Sequence, residues 1–457
     1  MPRGPARALK EHPVAAVVLV ALLVRCVLGV GAALVSDRYL IPDEEQYVAL
    51  ATSVANGVPP DVWYPGYGQS LYDSTWVFSA PLGFMFDLFG PSRVIGSVFS
   101  ALVGAAAAGV TTAIGLRFLR PAFAVLAGLV VALSPSQILF SSVVLREAHV
   151  WLSLTLVGLA AVLMVRGDRR HLATGALLAA AGLLALAYLR PQTLLAASWA
   201  LALAMVLTPR RGWVPRVAIA LMLAAIVPWI GQSGVGGWQL AAGAFPRLGA
   251  TRATLAVGAN SAFGEPAQPP PAPTKATDRA GAPAIVARTE KDKSITSGFS
   301  NLPEGLLNVT MRPYPWESTP SLSLVLARVE NVGWYLLYAL CGLGIVVSIR
   351  RRAARLALQF PMLLLGMMVG IAALTQGNLG TAFRHRDQVL WALALGAAAG
   401  AQWLSVRWAQ RRAAPSPAVA ATPPATAAAP ERDEDAQAAA VRSSADPAGG
   451  VRNTSTF

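Results

Sequence analysis

Hydrophobic residues in this chain form long blocks separated by short polar segments. A helix needs about 20 mainly apolar residues to cross a bilayer. The pattern predicts an all-α polytopic membrane protein with about ten transmembrane helices, near 14–35, 94–116, 122–142, 148–165, 172–189, 192–207, 214–231, 329–349, 356–374 and 389–408. A shorter block at 76–89 is interrupted by Pro81 and Asp87, and its status decides the orientation of every later helix.

The arginines resolve that orientation, because short loops rich in arginine face the cytoplasm. If 76–89 crossed the bilayer and the N-terminus were cytoplasmic, four arginine clusters would lie outside. If 76–89 lies in the interface, all four clusters are cytoplasmic, namely Arg166/Arg169/Arg170, Arg210/Arg211/Arg216, Arg350/Arg351/Arg352/Arg355 and Arg407/Arg411/Arg412. We therefore predict that 76–89 is a juxtamembrane helix in the first outside loop and that both termini are cytoplasmic.

These assignments divide the chain into five parts. The first apolar block follows basic residues but is long enough to span, so we interpret it as an uncleaved helix rather than a signal peptide. The predicted parts are a cytoplasmic N-terminus at 1–13, a seven-helix module at 14–231 whose catalytic first loop is 36–93, a partly flexible extracytoplasmic loop at 232–327, a three-helix module at 328–412 and a disordered cytoplasmic tail at 413–457.

Composition narrows the class of protein. Only 13% of the 457 residues are charged and 55% are hydrophobic, whereas soluble domains carry about 25% charge, so a water-soluble enzyme is excluded. The net charge of +14 resides mainly in loop arginines, so we expect a lipid bilayer and no nucleic acid as a partner. Abundant alanine and arginine with scarce lysine indicate a GC-rich bacterial genome, hence the plasma membrane.

Three successive acids, Asp43, Glu44 and Glu45, follow the first predicted helix. Crowded carboxylates raise one another's pKa, which suits a general base, and they can also bind a cation or a sugar hydroxyl. The alternative is a helix N-terminus stabilised by acids through the helix dipole. Nearby aromatic residues, Tyr47 among them, can stack on a sugar or seat a lipid chain, or simply form an interfacial belt.

A second candidate site lies in the last outside turn, Gly377–Arg386. Arg384 and Arg386 flank His385, and guanidinium groups match phosphate oxygens, so these residues predict a compact anion site. The alternative is contact with lipid headgroups plus a salt bridge to Asp387.

Four further charges are candidates for substrate binding. Glu147 and Arg190 are predicted at the same depth as Asp43, where an ion pair without function is the alternative. Arg93 also lies on the predicted outer face. Arg25 falls within the first predicted helix, where an unpaired charge costs about 2.5–3.5 kcal/mol, so we expect it to face the bundle and meet an acid or a phosphate.

An arginine within the first helix, followed by Asp43-Glu44-x-x-Tyr47 and a helix ending at Asn56-Gly57, resembles glycosyltransferases of the GT-C class that use lipid carriers. The likeness is strongest to the family 39 type, which includes protein O-mannosyltransferases and aminoarabinose transferases, and it covers about 14–408. The resemblance implies that Asp43 is the base and that Glu44 binds acceptor or cation. At the position of Glu147 that family usually carries an aspartate.

The leading hypothesis is the transfer of a sugar from a polyprenyl-phosphate carrier to an envelope glycan, lipid or protein on the extracytoplasmic face, inverting by family similarity. Asp43 takes the acceptor proton, while Arg384 and Arg386, with Arg190, stabilise the departing phosphate. No cofactor is expected to be required, and a divalent cation at Asp43 and Glu44 is left open. The alternatives are a polysaccharide polymerase or ligase, a transporter of lipid-linked sugar, and a scaffold.

Overall fold

The computed structural model describes residues 11–36, 38–41, 43–66, 68–166, 168–208, 213–232, 302–317, 322–375 and 379–413. Within these ranges every regular element is a helix. Apart from a short 3₁₀ helix at Pro60–Val62, they are α1 Pro13–Val35, α2 Asp43–Ala55, α3 Gly68–Asp73, α4 Trp76–Phe89, α5 Arg93–Gly115, α6 Pro121–Leu133, α7 Pro135–Ser142, α8 Glu147–Arg166, α9 Arg169–Leu189, α10 Pro191–Val206, α11 Trp213–Gln232, α12 Leu302–Met311, α13 Leu322–Arg350, α14 Arg352–Thr375, α15 Leu379–Asp387 and α16 Leu390–Ala413.

By its contacts the chain divides into two units, Met1–Arg407 and Trp408–Phe457. In the first unit, α5 packs against α1, α6 and α8, and α8 packs against α9. The buried core is built largely from alanine and β-branched residues of these helices, and the small alanines allow the backbones to approach closely. Of the second unit, the structure describes only the last turns of α16.

Six helices are long and apolar enough to cross a bilayer, and the bent pair α6 and α7 would be a seventh span. The six are Pro13–Val35, Arg93–Gly115, Glu147–Val165, Arg169–Leu189, Val325–Arg350 and Ala353–Leu374. The protein is therefore a multi-pass membrane protein, and the part of its chain that the structure describes is all-helical. The other three predicted spans correspond to α10, α11 and α16, which are not among these six, so the count of ten stays a prediction.

The helix predicted at the membrane surface is α4, of 14 residues. At 1.5 Å per residue it measures about 21 Å, short of the roughly 30 Å hydrocarbon core. It packs against α2, and a Cβ on Gly83 of α4 would meet Val54 of α2 at 2.5 Å. The absence of a side chain at Gly83 thus lets the two short helices form one layer.

The block predicted as one span at 122–142 is broken in two. Helix α6 ends at Leu133, and α7 begins at Pro135 with a bend of 55° between them. Proline lacks the N–H that a continuous helix would need, and it disfavours helical backbone at Ser134. The break exposes carbonyl groups at the end of α6 and N–H groups at the start of α7, which need partners inside the bundle.

Two buried charges from distant helices supply those partners. Arg25 of α1 donates to the carbonyl oxygens of Ala132 at 2.8 Å and Val131 at 3.2 Å. Glu330 of α13 accepts from the backbone N–H of Ser136 at 3.0 Å and from the hydroxyl of Ser134. The cation thus lies at the negative end of one helix and the carboxylate at the positive end of the other.

Candidate active site

The segments predicted as the first outside loop and the last outside turn meet at Asp43 and Arg384. Arg384 Nη1 donates a hydrogen bond to Asp43 Oδ2 at 2.7 Å. The side chain of Asp43 remains 47% exposed, whereas that of Arg384 is 28% exposed. Asp43 is the first residue of α2, and its carboxylate is partly open to solvent. This pair forms the accessible edge of a larger charged cluster.

The buried part of the cluster contains Glu147, Arg190 and His385. Arg190 Nη2 donates to Glu147 Oε1 at 2.8 Å, and Arg190 Nη1 lies 2.6 Å from His385 Nε2. Glu147 begins α8, Arg190 occupies the break between α9 and α10, and His385 lies in α15. Three separate helix ends therefore bring their polar side chains to one point. We call Asp43, Glu147, Arg190, Arg384 and His385 the outer cluster.

Electrostatics fix the protonation of His385. Burial, and then the positive charges of Arg190, Arg146 and Arg384, lower the pKa of His385 well below its ordinary value. The ring is therefore neutral near pH 7, and its Nε2 accepts the hydrogen bond from Arg190. Burial alone would lower the pKa of Arg384, but the charges of Glu147 and Asp43 raise it overall.

The outer cluster retains unused hydrogen-bonding capacity. Among the described residues, Glu147 Oε2 and Arg190 Nε are buried without a hydrogen-bond partner. Buried polar atoms are normally paired, and an unpaired one indicates a place for water or a ligand. Tyr47 lies one turn after Asp43 on α2, and its ring packs edge-on against Phe78 at 5.4 Å. Burial raises the pKa of Tyr47, so its hydroxyl stays protonated.

Glu44 is directed away from the outer cluster. Its side chain is 1% exposed and lies 3.7 Å from Arg93 Nε, and burial raises its pKa although Arg93 opposes the shift. Arg93 also donates to the carbonyl oxygens of Ser36 at 2.8 Å and Arg38 at 3.2 Å. Through these hydrogen bonds Arg93, the first residue of α5, links the first loop to that helix.

This placement bears on the cation predicted at Asp43 and Glu44. Consecutive helix residues point about 100° apart, and each of these acids has its own arginine. Within the part of the chain that the structure describes, no group of three or more His, Cys, Asp or Glu side chains is arranged to hold a metal ion. Asp43 and Glu44 thus contact different arginines, and a cation at these two acids stays a prediction.

Arg386 does not join Arg384 in one anion site, contrary to the prediction from sequence. It is 2% exposed, donates to Asn331 Oδ1 at 2.6 Å and lies over the ring of Trp334 at 4.3 Å. The segment is helical, and residues two apart on a helix point to opposite sides. Arg386 therefore attaches α15 to α13, and neither arginine forms an ion pair with Asp387 among the described residues.

Arg25 also differs from expectation. It faces the bundle as predicted and is fully buried, but its partners are carbonyl oxygens and Ser141 Oγ, at 2.6 Å, rather than an acid or a phosphate. Its guanidinium supplies the donors that the end of α6 requires. Arg25 is thus occupied at the helix break and offers no free charge to a substrate or a translocation path.

Two neighbours of the outer cluster were not singled out from the sequence. The ring of Phe140 lies 5.3 Å from the Arg384 guanidinium, and Gln137 Nε2 donates to the backbone oxygen of Asp387 at 2.9 Å. Both residues belong to α7, which supports α15 only because of the bend before it. Pro135 was the sequence feature that could have indicated the bend, since the residue before a proline disfavours helical backbone.

Several predicted features lie outside the described residues. They include Pro42, Gly377 and Asn378, most of the predicted loop at 232–327, and the tail from 414 onward.

Fold and site together define a class of protein. It is a multi-pass helical membrane protein that carries a half-buried charged cluster at the ends of several helices. No protein-family model and no curated protein matches the sequence. The chain is similar in structure to the archaeal oligosaccharyltransferase AglB from Archaeoglobus fulgidus, solved with an inhibitory peptide and a dolichol-phosphate. The TM-score is 0.47 at 15% identity, over 89% of this chain and 52% of AglB. The chain thus spans about half the length of AglB, and a likeness of this degree assigns neither family nor activity.

Proposed function

We propose that the protein is a membrane glycosyltransferase that moves a sugar from a polyprenyl-phosphate carrier to an acceptor on the extracytoplasmic face. The observation that carries this proposal is the pairing of Asp43 with Arg384 at 2.7 Å on the open edge of the outer cluster. A carboxylate beside a guanidinium provides the two groups that the reaction needs, a proton acceptor and a stabiliser of phosphate charge.

The proposed step is a displacement at the anomeric carbon. The acceptor hydroxyl loses its proton to Asp43 as its oxygen forms the new glycosidic bond. The bond between the anomeric carbon and the phosphate oxygen breaks, and the polyprenyl phosphate leaves with the electron pair. Arg384 and Arg190 stabilise the charge that develops on this phosphate. Attack opposite the leaving group inverts the anomeric configuration.

The environment of the pair supports these roles. Asp43 is exposed enough to reach an acceptor hydroxyl, while Arg190 is anchored by Glu147 and His385. Donors held in place before the reaction stabilise developing charge without reorganising. The acceptor class is an envelope glycan, lipid or protein, and the family 39 type remains the specific form of the proposal. Arg386 and Arg25, which hold the fold together, have no part in it.

The test is carrier consumption by the purified protein in lipid. Radiolabelled polyprenyl-phosphate mannose, glucose, galactose and arabinose are supplied separately, with a crude envelope extract as acceptor. The proposal expects label from one carrier to enter a new covalent product, with loss of the product in Asp43→Asn and retention in Glu45→Gln. Consumption that is unaffected by Asp43→Asn would favour a polymerase or ligase, and movement of carrier across the bilayer without a product would favour a transporter.

A further inference from the structure

A cavity of about 340 Å³ lies at the opposite end of the C-terminal helices from the outer cluster. It opens between α13 and α16 and is lined by three arginines, Arg350, Arg351 and Arg407, by Trp403 and by three aliphatic residues of α13. Its volume falls within the range of about 300–1,000 Å³ typical of small-molecule sites. The positive-inside rule assigns this end to the cytoplasm.

Close packing of the two helices shapes the cavity. A Cβ on Gly344 of α13 would lie 2.0 Å from the backbone oxygen of Gly396 in α16, so the two backbones touch there. The cavity lies beyond this crossing, towards the end of both helices. Along α13 its lining passes at helical spacing from Leu343 through Val346 and Val347 to Arg350. It therefore has an apolar inner part and a cationic mouth.

The three arginines have no acidic residue near them in sequence. Between Glu330 and Glu431 the only acid is Asp387, which precedes Arg407 by 20 residues, about 30 Å along a helix. Among the described residues none of the three forms an ion pair. The Arg407 guanidinium lies 4.9 Å from the ring centre of Trp403, which holds it at the mouth. Clustered and uncompensated positive charge attracts an anion.

We propose that this cavity binds an anionic phospholipid from the adjacent leaflet. Its phosphodiester would contact Arg350, Arg351 and Arg407, because guanidinium forks match phosphate oxygens. The first methylene groups of an acyl chain would lie against Leu343 and Val346. Basic pockets between transmembrane helices at a cytoplasmic surface suit such headgroups, and the apolar inner part favours a lipid over a free phosphate. The inference does not depend on the glycosyltransferase proposal.

The experiment is native mass spectrometry of the full-length protein in detergent. Phosphatidylglycerol, phosphatidylcholine and glycerol phosphate are titrated separately into the wild type and into two double variants. One variant, Arg350→Gln with Arg407→Gln, removes two charges from the cavity. The matched control, Arg355→Gln with Arg411→Gln, removes two charges from the same predicted face outside the cavity lining. Thermal unfolding of each variant checks that the fold is intact.

The wild type is expected to bind phosphatidylglycerol in preference to phosphatidylcholine. The cavity variant should bind phosphatidylglycerol about 30-fold more weakly, since each surface arginine contributes roughly 1 kcal/mol, and the control should stay within about twofold of the wild type. Equal weakening in both variants would overturn the proposal. So would equal binding of the two lipids, and so would glycerol phosphate binding as tightly as phosphatidylglycerol, since that result indicates a site for free phosphate.

Discussion

Asp43 accepts a hydrogen bond from Arg384 across 341 residues of sequence. Asp43 is the first residue of α2, in the loop predicted to lie outside, and Arg384 lies near the end of α15. Their contact joins segments from near the two ends of the described chain. The side chain of Asp43 is 47% exposed and that of Arg384 is 28% exposed, so one side of the pair stays open to solvent.

Replacing Asp43 with asparagine should reduce sugar transfer by about 10²–10⁴-fold, the usual contribution of a general base. The change keeps the shape of the side chain and removes its basicity. The rate is measured as kcat with the labelled carrier identified in the screen. Glu45→Gln is the matched control, because Glu45 is exposed in the same first turn of α2. Comparable losses of kcat in both variants would mean that the local negative charge, rather than a base at Asp43, supports the reaction.

Arg384→Gln and Arg386→Gln should affect different properties. A charge-assisted hydrogen bond contributes about 1.5–3 kcal/mol, so loss of Arg384 should lower kcat/KM for the carrier about 10- to 150-fold. Arg386→Gln should lower the Tm, because its contact with Asn331 attaches α15 to α13. The folded fraction of Arg386→Gln should retain transfer activity. If Arg386→Gln were stable but inactive, that result would support the alternative that Arg386 is part of the anion site.

Arg25→Met should destabilise the protein without a specific effect on substrate binding. It leaves Ser141 and the carbonyl oxygens of Val131 and Ala132 without their donor inside the bundle. A buried unsatisfied group costs about 1–3 kcal/mol. The measurement is the Tm in detergent, with Leu23→Met on the lipid-facing side of α1 as control. A Tm equal to that of the control would show that Arg25 is not needed at the helix break.

Stability should fall on acidification because of His385. The pKa of His385 in the folded protein lies well below the ordinary value. Below that ordinary value, the unfolded chain therefore binds a proton at His385 that the folded protein does not bind. A lowered histidine pKa contributes stability that is present above about pH 6.5 and decreases as the pH falls below it, by at most about 1.4 kcal/mol per pH unit. His385→Asn should flatten this dependence between pH 7 and 5. Parallel Tm profiles for the two proteins would contradict the prediction.

The predicted orientation can be tested with a thiol reagent that does not cross membranes. In a background with Cys26→Ala and Cys341→Ala, Glu45→Cys should react in intact cells or spheroplasts. Ser405→Cys, near the other end of α16, should react only after permeabilisation, because the arginine clusters place that end in the cytoplasm. The opposite pattern would reverse the topology and would place the outer cluster inside the cell.

Much of the helical layout follows from hydrophobic periodicity. The first span predicted at 14–35 is found as the helix Pro13–Val35, and the block at 76–89 is found as the helix Trp76–Phe89, whose place at the membrane surface stays a prediction. The break at Ser134 is not predicted, because the apolar residues resume at Ile138 and an average hydropathy over the block does not register the short interruption at Ser134-Pro135-Ser136-Gln137. Its partners, Arg25 and Glu330, come from helices remote in sequence, and no local pattern indicates that they meet.

The site was less accessible to sequence reasoning than the fold. Charges are rare in the predicted outside segments, and this rarity makes seven acids and arginines there, with His385, candidates from the sequence alone. Which of them meet depends on tertiary packing over more than 190 residues, as for Arg190 and His385. The divergence of Arg384 and Arg386 follows from helical geometry, but only once the segment is known to be a helix rather than a turn.

The broken helix has a consequence for biosynthesis. Glu330 follows Ser134 by 196 residues, so at about 5–20 residues per second the ribosome needs roughly 10–40 s to supply it after Ser134 is made. Arg25 is available from the start, and the end of α6 can be satisfied as soon as α6 enters the membrane. The start of α7 must wait with its amide groups uncapped. The surroundings of α7 therefore reach their final form only after synthesis has passed Glu330, residue 330 of 457.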